Sequence, residues 1–396
     1  MIRRRFTALF LCLLLLLPSL SLADVEAITE LDAYVDQAFR AAKTVGGSLV
    51  VMKDGQIVYA RDYGMKDKAR ELPVDENTFF RTASITKMIS GIGLMRLVDM
   101  GLLDLDAEIG RYLGYPVANN NYPKTPVTLR QLMSHTSSLS DTGTYGGGSR
   151  TLRQLIAKGI KQSGNYRKTI PGKVYHYTNF GAGVTGALME AVTGMSVDSY
   201  MKSAVFEPLG LTATYTASLI ENPADVSGQY KDGEQYRSAK GSIAKKHEDF
   251  ADPEHHYKIT IGDVWIRSRD MAKLAAMLCA EGSYGGVQIL SRESALMMRR
   301  EQMTLGKSVT GESPYGLFME HNNTLLSDKM VYGHQGMSQG AILNCYFEPE
   351  SGFVMVLFSN GGSRTRENRI GKLARKFFAH FYERYGVSAF QVASRP

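Results

Sequence analysis

The stretch FFRTASITKMISGIGLM, residues 79–95, joins a candidate nucleophile to the start of an apolar helix. Ser84 and Lys87 share one helix face at this spacing, so the lysine can serve as the base that a serine nucleophile needs. In the first turn Ser84 would meet free backbone N–H groups, which stabilise negative charge, and burial would lower the pKa of Lys87. The apolar positions whose spacing predicts this buried helix are Ile85, Met88, Ile92 and Met95.

The Ser-x-x-Lys pattern is weak when taken alone, because it occurs at two other places in the chain. Both lie in more polar surroundings, which favours solvated surface residues: Ser199 with Lys202, and Ser242 with Lys245. For Ser84 and Lys87, the alternative is a helix cap beside a lysine whose ammonium group reaches water.

Two further motifs strengthen the catalytic interpretation. Tyr177-Thr178-Asn179 is the single Tyr-x-Asn among 21 tyrosines, and His334-Gln335-Gly336 is the single His-x-Gly among eight histidines. The second motif precedes a predicted strand and is rich in glycine, which would let a substrate approach the backbone closely.

These three motifs, in this order, resemble the active-site motifs of the class C β-lactamase-related serine hydrolases. That family includes class C β-lactamases, D,D-peptidases of the penicillin-binding type, D-aminopeptidases and esterases. The resemblance extends over about residues 30–385. Other stretches that carry it are Lys53-Asp54-Gly55, Leu103-Asp104-Leu105-Asp106, Leu132-Met133-Ser134-His135-Thr136-Ser137, Pro208-Leu209-Gly210-Leu211 and Tyr315-Gly316-Leu317.

The resemblance implies a set of catalytic roles. Ser84 would attack a carbonyl group to form an acyl-enzyme, and Lys87 and Tyr177 would share the proton transfers, with either as general base. The backbone N–H groups of Ser84 and Met337 would form the oxyanion hole.

It also implies how substrate is held. Asn179 would bind the substrate amide and Lys87, and His334 would orient the tyrosine or bind a substrate carboxylate. Gly336 would keep its strand free of a side chain. No metal or organic cofactor is needed for this chemistry.

The chain departs from the family pattern at two positions. Many class C β-lactamases have lysine where His334 stands, whereas some D,D-peptidases and D-aminopeptidases have histidine, which argues against β-lactamase activity. Ser138 replaces the usual glycine, so the loop around it is expected to differ.

Strand patterns lie at the two ends of the chain and helical patterns in the middle. Asp54-Gly55 predicts a hairpin turn, and strands are predicted over 47–53, 56–63, 341–347 and 353–359. Helices are predicted over about 27–43, 129–134, 152–161, 183–192 and 366–384. The pattern indicates one α/β domain built from 24–95 and 256–396, with a mainly helical subdomain at 96–255.

The resemblance refines this fold class. It implies a largely antiparallel sheet flanked by helices on both faces, with an inserted all-helical subdomain. The site would lie between the two parts.

Residues 1–23 are typical of an export signal with cleavage after Ala23. A basic start precedes the apolar run Ala8–Leu17, which is too short to span a bilayer; an uncleaved anchor is the alternative. We therefore expect a secreted or periplasmic protein without a stable membrane span.

Cleavage would lower the net charge from +7 to +4, which is too mild to indicate nucleic-acid binding. Cys279 and Cys345 then allow one disulfide or two buried thiols.

Three other patterns suggest different functions. Gly336-Met337-Ser338-Gln339-Gly340 matches a nucleophile elbow, but His380 is the single histidine after it. Gly181-x-Gly183-x-x-Gly186 matches a dinucleotide fingerprint, although helix packing explains it better. A third group of residues could bind a metal, but their spacing fits no familiar metal site, and a solvated polar loop is the favoured interpretation. These residues are His247, Glu248, Asp249, Glu254, His255 and His256.

The sequence thus predicts an exported serine hydrolase that acts through a Ser84 acyl-enzyme. The preferred substrates are peptides or amides with D-residues, such as cell-wall peptides. The alternatives are a small-ester esterase, a β-lactamase, and a non-catalytic penicillin-binding or sensor protein. The oligomeric state is left open.

Overall fold

The computed structural model describes residues 22–387 except 144, 147–148, 163, 247, 303–313, 327 and 339. Most of the predicted signal peptide, residues 1–21, therefore lies outside the described residues. The described helices are α1 (Leu22–Ala41), α2 (Ile85–Asp99), α3 (Gly110–Leu113), α4 (Leu129–Met133), α5 (Leu152–Ile156), α6 (Asn179–Thr193), α7 (Val197–Met201), α8 (Ala239–Ile243), α9 (Ser268–Cys279), α10 (Arg292–Arg299) and α11 (Lys372–Phe381).

The described strands are of very different lengths. They are β1 (Gly46–Lys53), β2 (Gln56–Asp67), β3 (Leu72–Pro73), β4 (Phe79–Arg81), β5 (Ala213–Thr214), β6 (Gln229–Lys231), β7 (Glu234–Arg237), β8 (Trp265–Arg267), β9 (Ser283–Tyr284), β10 (Val287–Gln288), β11 (Glu320–Asn322), β12 (Val331–Ser338), β13 (Ala341–Glu348), β14 (Phe353–Ser359), β15 (Arg366–Glu367) and β16 (Ile370–Gly371).

An antiparallel sheet joins the two ends of the chain, as predicted. Within the described residues its order is β11-β12-β13-β14-β1-β2-β3. The predicted hairpin turn is present, with φ of 49° at Asp54 and 77° at Gly55, the left-handed pair that a two-residue turn of type I′ requires. β1 then pairs with β14, so that Val50 lies opposite Val356.

Alternate residues of the sheet pack against helices on opposite faces, which confirms the predicted layers. Leu49 and Val51 belong to a buried cluster with α1 and α11. Val50 and Met52 point the other way, into a larger cluster that contains α2 and α9. This is the alternation expected of a strand that is buried on both sides.

The predicted helix over 366–384 is wrong in its first part. Residues 366–371 form the β15–β16 hairpin, and α11 begins at Lys372. Asn368 and Arg369 have φ of 45° and 70°, a left-handed conformation that a right-handed helix does not contain. The helix predicted over 152–161 is also shorter, because Ala157 is extended and bridges Val117.

The segment 96–255 contains helices α3–α8 and three short strands, β5–β7. β5 is not isolated within that segment, since it pairs with β8 in a small sheet with the order β4-β8-β5. That small sheet connects the segment to the strand that immediately precedes Ser84.

Both cysteines of the described chain are buried free thiols, which decides between the two alternatives. Burial raises the pKa of Cys279 to about 12. In the part of the chain with described structure, no helix combines the length and apolar character needed to cross a bilayer.

Candidate active site

Ser84 lies at the N-cap position of α2, where the chain turns from β4 into the helix. Ala83 immediately before it has φ of 47°, an uncommon conformation for a residue with a side chain. The Ser84 side chain makes no capping hydrogen bond, and it is partly exposed at the wall of a cavity. Ser84 therefore occupies the N-cap position of α2 without capping the helix through its side chain.

Lys87 lies one turn into α2 and has no exposed surface, so its ammonium group does not reach water. Its Nζ lies 3.2 Å from Ser84 Oγ, 2.9 Å from Asn179 Oδ1 and 2.9 Å from the carbonyl oxygen of Ile261. Burial lowers the pKa of Lys87 to about 7, against the attraction of Asp141. Lys87 can therefore exist as a neutral amine near neutral pH.

Tyr177 and Asn179 enter the site from the start of α6. Thr178 between them caps this helix through its hydroxyl oxygen, which accepts from the N–H of Gly181. The centre of the Tyr177 ring lies 5.1 Å from Lys87 Nζ, within the range of a cation–π contact. The motif thus lies beside the Ser84–Lys87 pair.

His334 is buried on β12 and holds a defined tautomer. Its Nδ1 lies 2.6 Å from the carbonyl oxygen of Gln335 and therefore donates a hydrogen. The Nε2 then accepts from the Tyr315 hydroxyl at 3.0 Å. Burial lowers the pKa of His334, and Lys87 adds to that effect against the attraction of Glu320, so the neutral ring is favoured.

Gly336 is needed for a contact within the protein. A Cβ at this position would lie 2.2 Å from the carbonyl oxygen of Thr82, two residues before Ser84. The absent side chain therefore allows β12 to pack directly against the start of α2. The prediction was that Gly336 keeps the strand free of a side chain, so that a substrate can approach the backbone. The space that a Cβ would enter is taken by the Thr82 carbonyl group.

A cavity of about 280 Å³ opens beside Ser84. β12 pairs with β11 only as far as Gly333, so residues 334–338 have no strand partner on that side among the described residues. Of the predicted site residues, four line the cavity: Ser84, Tyr177, His334 and Met337. Lys87, Asn179 and Gly336 do not line it, and they support the residues that do.

Sequence reasoning did not assign site roles to several residues that lie here. Arg366 and Arg369 line the cavity from the β15–β16 hairpin. Asp141 binds Asn179, and His135 packs on Tyr177 with ring centres 4.3 Å apart. His135 belongs to one of the stretches that carry the family resemblance, so that stretch was the available signal.

Ser138 has φ of 63° and thus retains the left-handed conformation that the usual glycine would favour. Its hydroxyl accepts from the Asn119 amide at 3.0 Å. The replacement of glycine is therefore accommodated without departure from a glycine-like backbone.

The alternative motifs have structural roles. Lys202 and Lys245 are exposed and pair with Glu207 and Asp263. Ser338 ends β12 in a β-hairpin, whereas a nucleophile elbow joins a strand to a helix. The glycine-rich stretch at 181–186 lies inside α6, where a Cβ at Gly183 would meet the Tyr257 carbonyl oxygen at 1.9 Å.

The possible metal group forms ion pairs instead. His256 lies 3.0 Å from buried Glu190 and 3.2 Å from Glu248, and His255 pairs with Asp252. Throughout the described ranges no group of three or more metal-ligating side chains is found. His247 lies outside those ranges.

Comparisons with known proteins identify the family of the chain. The family model described as beta-lactamase matches residues 31–379. Esterase EstB from Burkholderia gladioli is 34% identical over 206 residues, which are 48% of this chain and 52% of the esterase, about half its length. A putative D-alanyl-D-alanine carboxypeptidase from Escherichia coli O157:H7 is 25% identical over 85% of this chain and 83% of that protein.

A solved structure supports the same fold over a similar extent. The octameric penicillin-binding protein homologue from Pyrococcus abyssi superposes with a TM-score of 0.69 at 20% identity, covering 90% of this chain and 77% of that one. Together with the extent of the family match, this fold and these relatives lead to one conclusion: the chain belongs to the β-lactamase family and is similar to its serine hydrolases.

Proposed function

We propose that the protein is a serine hydrolase in which Ser84 forms an acyl-enzyme with amides or esters. The observation that carries the proposal is the set of contacts around Lys87 Nζ. A neutral amine has two hydrogens, which match Asn179 Oδ1 and the Ile261 carbonyl oxygen. The lone pair then faces the Ser84 hydroxyl and can take its proton.

The reaction follows from this arrangement. Ser84 Oγ bonds to the substrate carbonyl carbon while its proton passes to the Lys87 and Tyr177 pair. The oxyanion is stabilised by the backbone N–H groups of Ser84 and Met337. Collapse breaks the bond to the leaving amine or alkoxide, which receives that proton. In the second half, the same pair takes a proton from water as the water oxygen bonds to the acyl carbon. Collapse then breaks the bond between that carbon and Ser84 Oγ, which receives this proton, and the acid is released.

We favour peptides or amides with a D-residue and a free carboxylate as substrates. Arg366 and Arg369 are two cationic residues that line the cavity, and His334, whose neutral form is favoured, also lines it. Guanidinium groups pair well with carboxylates. The carboxypeptidase relative, similar over most of both chains, supports the same substrate class. Cell-wall peptides have this chemistry.

A small-ester esterase is the second candidate. The relative with the higher identity of the two is an esterase, although the match spans about half of it. A β-lactamase and a non-catalytic penicillin-binding protein are less favoured. Many class C β-lactamases have lysine where His334 stands in this chain. A non-catalytic protein would not need the buried Lys87 beside Ser84.

The test is product release from three substrates: a D-alanyl-D-alanine peptide, a neutral p-nitrophenyl ester and a penicillin. We expect the highest kcat/KM with the peptide, and no turnover by Ser84→Ala. A higher value with the ester would make the protein an esterase. Turnover by Ser84→Ala with any of them would overturn the assignment of the nucleophile.

We also propose export, on the basis of the basic and apolar segments within residues 1–23. The partners would be small-molecule or peptide substrates outside the cytoplasm, and neither nucleic acid nor a cofactor. N-terminal sequencing of the protein from its own cells is expected to begin at Asp24. Retention of residues 1–23 in a cytoplasmic fraction would contradict export.

A further inference from the structure

The segment 176–180, which carries Tyr177 and Asn179, is held by two residues of a neighbouring loop. Towards its start the contact is His135. The His135 carbonyl oxygen accepts from the N–H of His176 at 2.7 Å, and its Nδ1 accepts from the N–H of Thr178 at 3.3 Å. Its ring packs on Tyr177 with 4.3 Å between ring centres. Backbone and side chain of one residue thus bracket Tyr177.

At the other end of the segment the contact is Asp141. One carboxylate oxygen accepts from the Thr178 hydroxyl at 2.8 Å and the N–H of Phe180 at 2.9 Å. The other accepts from the N–H of Asn179 at 3.0 Å and from its side-chain Nδ2 at 3.2 Å. His135 and Asp141 therefore bind four of the five backbone N–H groups in the segment.

The Asp141 contact also fixes the direction of the Asn179 amide. Because Nδ2 donates to Asp141, Oδ1 is directed to Lys87 Nζ at 2.9 Å. If the Asn179 amide were rotated by 180°, its NH₂ group instead of Oδ1 would face Lys87 Nζ. Lys87 would then lose one of the two acceptors for its hydrogens, and its lone pair would no longer be directed at the Ser84 hydroxyl. Thr178 already caps the start of α6. The bond from the Asn179 side chain to Asp141 is therefore a contact beyond helix capping.

The His135 ring is suited to a position beside a base. Its Nδ1 is an acceptor, so the hydrogen lies on Nε2, which has no hydrogen-bond partner among the described residues. Tyr175, Tyr177 and Tyr315 surround the ring at centre distances of 4.3 to 6.0 Å. A neutral aromatic ring packs there without adding a second positive charge next to Lys87.

We propose that His135 and Asp141 are positioning residues, which hold Tyr177 and Asn179 in register with Lys87. The inference rests on the proposed function. It predicts a change in the pH dependence of activity as well as in stability, because the Asp141 carboxylate attracts the charged form of Lys87 and so raises the pKa of Lys87. Loss of that charge favours the neutral amine and shifts its titration to lower pH.

The test compares Asp141→Asn with Asp141→Glu by the pH dependence of kcat/KM. In Asp141→Asn we expect kcat about 10- to 100-fold lower and the acid limb of the profile moved to lower pH. Asp141→Glu retains the charge but displaces the carboxylate, so we expect a lower kcat with an unmoved acid limb. Asp99→Asn is the matched control, because Asp99 accepts three hydrogen bonds at the start of α10, outside the cavity.

His135→Asn retains an acceptor and tolerates the positive φ of 56° at this position, but removes the ring. We expect a kcat about 10-fold lower with a melting temperature near that of the unchanged protein.

The inference would be overturned by two results together. Folded Asp141→Asn would keep the wild-type kcat and an unmoved acid limb, and His135→Asn would keep the wild-type kcat. If Asp141→Asn does not fold, a wild-type kcat in Asp141→Glu overturns it instead. Failure of the proposed function is a separate result, because it appears as turnover by Ser84→Ala.

Discussion

Lys87 makes three hydrogen bonds without any exposed surface, so the protein rather than bulk water sets its protonation state. Its pKa is lowered to about 7, mainly because burial penalises the ammonium form. If neutral Lys87 is the base, kcat/KM rises with pH through about 7 and then levels off. A profile of kcat/KM from pH 5 to 9 measures this.

Lys87→Arg is the variant that separates base chemistry from charge. A guanidinium group cannot lose its proton in a protein, so we expect a kcat lower by a factor on the order of 10² to 10⁴. A pH profile with no inflection near 7 in the wild-type enzyme, together with activity in folded Lys87→Arg, would contradict the role of Lys87.

Arg369 gives a test of substrate class. Arg369→Asn removes a charge from the cavity wall, and asparagine tolerates the left-handed turn at this position. We expect KM to rise about two- to fivefold for a peptide with a free carboxylate, with no change for a neutral ester. Arg111→Asn, an exposed change in α3 outside the cavity, is the control. Equal effects on both substrates would refute carboxylate recognition.

The residue types at the site could be predicted because short motifs carry them. Ser84, Lys87, Tyr177 and His334 do lie together, although their roles remain predictions. Arg369 could not be assigned to the site, because it lies in the β15–β16 hairpin. The amphipathic spacing of this stretch predicted a helix there instead. Asp141 could not be assigned either, since its partners in α6 lie almost forty positions away.

At the scale of elements, β12 packs closely on the start of α2, beside Ser84. Gly336→Ala would place a Cβ 2.2 Å from the Thr82 carbonyl oxygen and force the two elements apart. We expect a loss of about 1 to 3 kcal/mol in the free energy of unfolding and a fall in kcat. Denaturant unfolding and steady-state kinetics measure both.

Gly371→Ala is the control for this change. A Cβ at Gly371 meets nothing within 4 Å, and its φ of −57° suits alanine. Stability and activity are expected to stay near the wild-type values. An equal loss in both glycine variants would show that the Thr82 contact is not the cause.

Elements with a local signal were predictable, and those that depend on distant partners were not. Asp54-Gly55 fixes its hairpin through backbone preference alone. Ala157, in contrast, leaves the helical conformation where it bridges Val117, forty positions earlier in the chain. Helical spacing contains no information about that contact.

At the scale of the whole molecule, buried Glu190 ties α6 to α7 and to the loop before β8. It accepts from the N–H groups of Val197 and Asp252 and pairs with His256. The pair raises the pKa of His256 from 6.5 to about 9. The resulting stabilisation is complete below the unfolded pKa and is lost as pH rises through about 9.

We therefore expect the free energy of unfolding to fall between pH 6 and 10 by about 2 to 3 kcal/mol more in the wild type than in His256→Gln. The difference between the two proteins isolates His256, because the lowered pKa of Lys87 acts in the opposite direction in both. Urea unfolding at several pH values measures it. Parallel pH curves for the two proteins would exclude the ion pair as a source of stability.

The α/β class and the sheet built from both chain ends were predictable, because strand patterns occur at the two termini. The order of strands was not, since antiparallel neighbours such as β1 and β14 are about 300 positions apart. The proposed boundaries at 95 and 255 stay a prediction. β5 shows why they are hard to infer, as it lies inside the segment 96–255 and pairs with β8 outside it.

The most direct test of the central claim is intact-mass analysis of residues 24–396 after incubation with a penicillin and with an activated ester. We predict one covalent acyl adduct that maps to Ser84 and is absent in folded Ser84→Ala. An adduct of the same mass on Ser84→Ala, or neither adduct nor product with the wild-type protein, would contradict the account.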